Sequence, residues 1–159
     1  MTNVKKIISG AQTGADLAGL KAAKILGLET GGTMPKFFMN HTGFRPEYEE
    51  LYNLKEDRST KYPPRTRRNV IDSDGTVRIA VKFNSAGERC TLKYINLQEK
   101  PYCDIDINNI TEEIIEAFRQ WLIDNEIEIL NVAGNSEKTC PGIEKKTVDF
   151  LVKVLDKQL

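Results

Sequence analysis

The chain alternates between two hydrophobic periods. Val4 to Ser9 is apolar on both faces towards its end, which predicts a buried parallel strand. Ala15 to Leu26 places Ala18, Ala22 and Ile25 at helical spacing, and Gly27 stops that helix. A second strand is expected over Leu28 to Thr33, a third over Thr76 to Phe83, a fourth over Tyr102 to Ile107 and a fifth over Glu128 to Ala133. Helices are expected between and after them. One opens at Pro63 or Pro64. One spans Glu88 to Gln98 with Leu92 and Ile95 inward, joined by Tyr94 or Leu97. One follows the N-cap Thr111 with Ile114, Ile115, Phe118 and Leu122 as its stripe. The last runs from Ile143 to Leu155.

Alternating strands and helices predict an α/β open parallel sheet of about five strands with helices on both faces. Connection lengths suggest the order 2-1-3-4-5. The chain reads as a single domain over residues 1–159, with a long loop insertion at about 35–62 in which no period holds.

Composition changes this picture little. With 159 residues, 40% hydrophobic and 29% charged, the chain has the profile of an ordinary globular domain. Lys+Arg and Asp+Glu both number 23, so no net charge steers it towards nucleic acid or membrane. Three cysteines without CxxC or CxH spacing argue against a disulfide framework or a zinc site. With no apolar run long enough to span a bilayer and no signal peptide, a reducing cytoplasm is the expected compartment.

The chemistry is expected beyond the carboxyl ends of the strands. Four loops there are rich in Gly, Ser, Thr and Asn: Gly10–Asp16, Gly31–Lys36, Asn84–Thr91 and Gly134–Gly142. A glycine turn running into a helix N-terminus offers outward N–H groups and partial positive charge to an anion. Such a loop is also an ordinary strand-to-helix connection, so the argument rests on four of them sharing one edge. Arg65 begins its helix near that edge and can grip a phosphate. Arg67 and Arg68 read as a solvated face. Asp72-Ser73-Asp74-Gly75 reads as a structural turn, His41 as a loop residue, Cys140 as a small buried residue and Trp121 as a partly covered one. Asp16 and Glu88 are the two carboxylates in the right loops, and helix-dipole interaction explains both as well as chemistry does.

Ser9-Gly10-Ala11-Gln12-Thr13-Gly14-Ala15-Asp16, Thr30-Gly31-Gly32 with Pro35-Lys36, Arg65-Thr66 with Asn69-Val70, Asp72 to Thr76, and Asn131-Val132-Ala133-Gly134 with Cys140-Pro141-Gly142-Ile143 run in order through nearly the whole chain. Together they resemble the molybdenum carrier family, which is similar to molybdenum-cofactor carrier proteins and to lysine-decarboxylase-like phosphoribohydrolases. The resemblance implies a Rossmann-like fold, a homo-oligomer (dimer or tetramer) and a pocket for a small phosphate-bearing ligand, with molybdenum cofactor (molybdopterin) as the named candidate. The expected binding residues are Gly10, Gln12, Thr13, Gly14, Asp16, Gly32, Lys36, Arg65, Ser85, Gly87, Thr91, Gly134 and Ser136. No catalytic residue and no metal ligand is assigned. Asn84–Thr91 lacks the fuller glycine signature and following glutamate of the phosphoribohydrolases, so carriage stands ahead of the alternative, hydrolysis of a nucleoside-monophosphate N-glycosidic bond.

Overall fold

Strand β1 (Lys6–Ile8) is the short central piece onto which both ends of the sheet are built. The structure is a computed structural model and describes residues 1–157. After β1 come helix α1 (Ala15–Leu26), strand β2 (Glu29–Met34), a 3-10 turn (Lys36–Phe38), strands β3 (Met39–Asn40) and β4 (Gly43–Phe44), helix α2 (Tyr48–Tyr52) and strand β5 (Leu54–Glu56). Helix α3 (Tyr62–Asp72), strand β6 (Gly75–Ala80), helix α4 (Ala86–Gln98), strand β7 (Tyr102–Asp106), helix α5 (Glu112–Asp124), strand β8 (Ile129–Gly134) and helix α6 (Ile143–Leu155) complete it.

Local chemistry explains the element ends. Gly27 is left-handed (φ 72°) and its N–H closes α1. Thr111 accepts from the Ile114 N–H, and α3 carries proline in its first turn. Asp74 does serve a structural turn: its Oδ2 accepts from the N–H groups of Glu128 and Ile129 at 3.0 and 2.8 Å, fixing the start of β8. Ile25 departs from its expected inward place and is 64% exposed, as is Leu97. Small residues explain this for α1. A Cβ added at Gly19 would lie 2.7 Å from the Val132 side chain, so the helix rests close on β8 through glycine and alanine and needs no Ile25.

The sheet is parallel, as expected, but it has six strands in the order β5-β2-β1-β8-β6-β7. Two expectations are corrected. The segment at 35–62 is not a long loop: it supplies the edge strand β5, the antiparallel β3–β4 hairpin and α2. Phe38, Tyr52 and Leu54 bury against Ala11, Leu20 and Met34, a separate apolar cluster that holds the segment down. The expected order 2-1-3-4-5 fails because the last strand inserts between β1 and β6, pairing Ile7 with Leu130 and Thr76 with Asn131. Burial decides this. Leu130, Asn131 and Val132 are all buried, as a central strand requires, while Tyr102 on β7 is 42% exposed at the edge. Counted from β8 onward, the strands lie as 4-3-2-1-5-6, a doubly wound order with one added edge strand. Helices α1, α5 and α6 pack as one layer, and α3 and α4 as another.

Candidate functional site

Reordering the sheet moves the crevice without abolishing it. The winding of the sheet reverses between the parallel neighbours β8 and β6, and beyond their carboxyl ends lies a cavity of about 380 Å³. Residues of the β1–α1 loop, the start of α3, the first turn of α4 and the end of β8 share its wall. Among the expected residues, Gly10, Gln12, Thr13, Asp16, Arg65, Gly87, Thr91, Gly134 and Ser136 line it.

Four expected residues lie outside this lining, and each makes a local contact within the protein instead. Gly14 (φ 85°) abuts the β8–α6 loop, where a Cβ would stand 2.3 Å from Asn135 O. Gly32 lies within β2, with no room for a Cβ beside Ser9 O (2.1 Å), and borders a smaller cavity instead. Lys36 places its Nζ over the Phe37 ring at 5.0 Å. Ser85 is the N-cap of α4.

The helix N-termini are not equivalent. At α6 the anion is already supplied: Glu137 accepts from the N–H groups of Gly142 and Glu144. In the first loop, Ala11 N–H donates to Ser9 Oγ, Gln12 N–H to Asp16 Oδ2, and Ala15 N–H to Asn135 O. At α4, Ser85 Oγ accepts from the Glu88 N–H, and the N–H groups of Ala86 and Gly87 have no partner among the described residues. The first turn of α4 therefore offers two free donors to the cavity, and the Thr13 N–H of the first loop likewise has no partner among the described residues.

Two buried carboxyls face the same space. Asp16 (6% exposed) lies 3.4 Å from Arg65 Nη1, and burial raises its pKa to about 6 despite that guanidinium and the Gln12 N–H. Glu88 (4% exposed) is raised to about 6 by burial and by the charge of Asp16, against hydrogen bonds from Ser85 Oγ and Asn135 Nδ2 and the charge of Arg78. Arg78 is buried on β6 and binds Asp104 through Nε and Nη2 at 2.7 and 2.5 Å. Its Nη1 donates to Glu88 O at 3.1 Å, which ties the first turn of α4 to the sheet. Asn135 completes the frame. Its Oδ1 accepts from the N–H groups of Val81 and Lys82, and its Nδ2 donates to Lys82 O and Glu88 Oε2.

Glu88, one of the two carboxylates the sequence places in these loops, is the fourth residue of Ser85-Ala86-Gly87-Glu88, the spacing of a capping box. Asn135 has no comparable signal, and the reading of the residues missed it. His41 also lines the cavity, with its ring against Tyr62 at 6.0 Å between centroids. Its position in an aperiodic segment concealed this. Arg67 and Arg68 lie on an exposed face, as expected, with Arg68 Nε paired to Asp72 at 3.1 Å. Cys140 is half-buried against the core.

Comparison with known proteins agrees with this architecture. The model of the circularly permutated YpsA SLOG family matches residues 7–155, and the strand order counted from β8 has the form that a permutation produces. A crystal structure of a "Putative molybdenum carrier protein" from Syntrophus aciditrophicus is similar over 97% of this chain and 96% of its own, with 35% identity and a TM-score of 0.90. No protein with a curated description matches. Among the described residues, no helix is long and apolar enough to cross a membrane.

Proposed function

This chain belongs to the circularly permutated YpsA SLOG family, and we propose that its cavity binds a small phosphate-bearing, nucleotide-like ligand. The observation that carries the reading is the first turn of α4. The N–H groups of Ala86 and Gly87 have no partner among the described residues, and the turn opens into a cavity that Arg65 also lines. A phosphate placed there gains the helix dipole and charge-assisted hydrogen bonds. Gly87 permits close approach, since a Cβ added there would meet nothing within 4 Å. At about 380 Å³ the cavity falls within the range of small-molecule sites.

Molybdenum cofactor is the candidate cargo, taken from the name of the Syntrophus relative and from the sequence resemblance. Its pterin phosphate fits the donors of α4. Asp16 and Glu88 suit the hydroxyl and amino groups of such a ligand better than its charge, because burial favours their protonated forms. Native mass spectrometry of the purified protein, with elemental analysis for molybdenum, tests the proposal. A co-purified mass with molybdenum identifies the cargo. A nucleotide mass keeps the site and changes the ligand. Failure of every phosphate-bearing probe to bind would end the proposal.

A second reading has its own support. Two carboxyls with pKa values near 6 face one cavity, and Glu88 is oriented by Ser85 and Asn135. Such a pair suits hydrolysis of a nucleoside-monophosphate N-glycosidic bond, in which water attacks the sugar and the base leaves with a proton. Release of free base from AMP by the parent, lost in Glu88→Gln, would establish hydrolysis over carriage.

A further inference from the structure

The cavity has a rim that phosphate binding does not use. His41 stands in the turn between β3 and β4, Tyr62 is the first residue of α3, and both line the cavity. Their rings meet edge to face, with centroids 6.0 Å apart and planes at 70°. Tyr62 is 36% exposed, and Arg65 places its guanidinium carbon 5.5 Å from the Tyr62 ring centroid.

The hairpin bearing His41 is tied to the β1–α1 loop. Asn40, buried, donates through Nδ2 to Ala11 O at 3.2 Å, and Gln12 donates through Nε2 to Met39 O at 3.1 Å. These bonds join residues 27 to 29 positions apart and hold His41 at the cavity. They also fix the Gln12 amide. Its Nε2 is engaged by Met39 O and Gly10 O, and its Oε1 has no donor among the described residues. Gln12 is 7% exposed and lines the same cavity. A buried acceptor without a donor is costly, and a small turn of the Gln12 side chain toward the cavity would let a ligand N–H satisfy it, which a ligand that is only an anion could not do.

From these observations we propose that His41, Tyr62 and Gln12 form a subsite for a flat heteroaromatic ring carrying an amino group, joined to the phosphate bound at α4. The inference rests on the phosphate-site reading above and names the other half of the ligand. Aromatic faces stack on any planar base, and the Arg65 guanidinium extends the flat surface. A purine nucleotide and a pterin phosphate share this chemistry.

Isothermal titration tests it with adenosine 5′-monophosphate, neopterin monophosphate and ribose 5-phosphate, the last having no ring. The parent is expected to bind at least one ring-bearing probe about 5-fold or more tighter than ribose 5-phosphate. In the double variant His41→Ala/Tyr62→Ala that preference is expected to vanish, with ribose 5-phosphate affinity within twofold of the parent. Tyr62→Phe is expected to retain the preference. The stronger of the two ring-bearing probes identifies a nucleotide or a pterin as the source. Both altered side chains lie at the rim, and a thermal melt checks that each variant is folded. Ribose 5-phosphate binding with no preference for a ring, or a preference that survives the double variant, overturns the subsite and leaves the phosphate site standing. If none of the three probes binds, the phosphate site and the ring subsite fall together.

Discussion

Arg65 lies across Gly10: a Cβ built at Gly10 would stand 2.0 Å from Arg65 Nη1, the nitrogen that faces Asp16 Oδ2 at 3.4 Å. The glycine makes room for the ion pair. Gly10→Ala should therefore push the guanidinium off Asp16. The obstacle is the end of a flexible side chain, so the cost in stability should stay within about 1 kcal/mol. Arg65 holds the Asp16 pKa down against burial, and its displacement should raise that pKa above about 6. A carboxyl NMR titration reads this directly. An unchanged Asp16 in the variant would show that the pair does not set its protonation.

Glu88 gives a pH dependence of defined sign. Its folded pKa is about 6 against an ordinary 4.5, so the native state binds the proton more tightly than the unfolded chain. The stabilisation is complete below the unfolded value and is lost as pH rises through about 6. Glu88→Gln keeps the shape and removes the titration. The stability of the parent relative to this variant should fall by about 2 kcal/mol between pH 4 and pH 7. Paired urea unfolding curves across that range measure it, and parallel curves would contradict the raised value.

Asn135 satisfies three backbone groups of the loop after β6. Asn135→Ala strips the N–H groups of Val81 and Lys82 and the Lys82 carbonyl of their partner, and a loss of about 3 kcal/mol is expected. Asn135→Asp keeps the two acceptor contacts but sets a second carboxylate beside Glu88. Its deficit should widen between pH 5 and pH 8, as both groups ionise. Denaturant midpoints at the two pH values separate the effects, and an equal deficit at both would mean that the carboxylates do not sense each other.

Two cavity glycines should behave oppositely. At Gly134 (φ 154°) a Cβ would lie 1.8 Å from Ile79 O, so Gly134→Ala should cost more than about 3 kcal/mol. Gly87 has open space and sits in the first turn of α4, and Gly87→Ala should be neutral or stabilising by up to about 1 kcal/mol. Melting temperatures decide. Because Gly87→Ala leaves the fold intact, any accompanying loss of AMP affinity reports contact with the ligand.

The local pattern of residues was enough to place α1 and α6 within their observed bounds, the strands β1, β2, β6, β7 and β8, the Thr111 cap and the exposed face of Arg67 and Arg68. These are short-range matters: a period, a cap or a glycine stop is written in consecutive residues. The same signals put the β1–α1, α4 and β8 loops on one edge, and the cavity is there. Gly14 and Gly32 show the limit. Both were expected to approach a ligand, yet the neighbours they make room for are protein backbone, Asn135 O and Ser9 O, which lie far along the chain or on the next strand.

The sequence by itself determined the class of fold, the limits of α1 and α6 and the edge of the sheet at which the cavity opens, because each follows from interactions within a few residues. Only the tertiary structure decided that β8 lies between β1 and β6. That choice depends on burying Leu130, Asn131 and Val132 on both faces, a long-range gain that no local spacing records. The same packing brings Asn135 to Glu88 across 47 positions of chain and the β3–β4 hairpin to the first loop, so the frame of the site and its aromatic rim exist only once the sheet has closed.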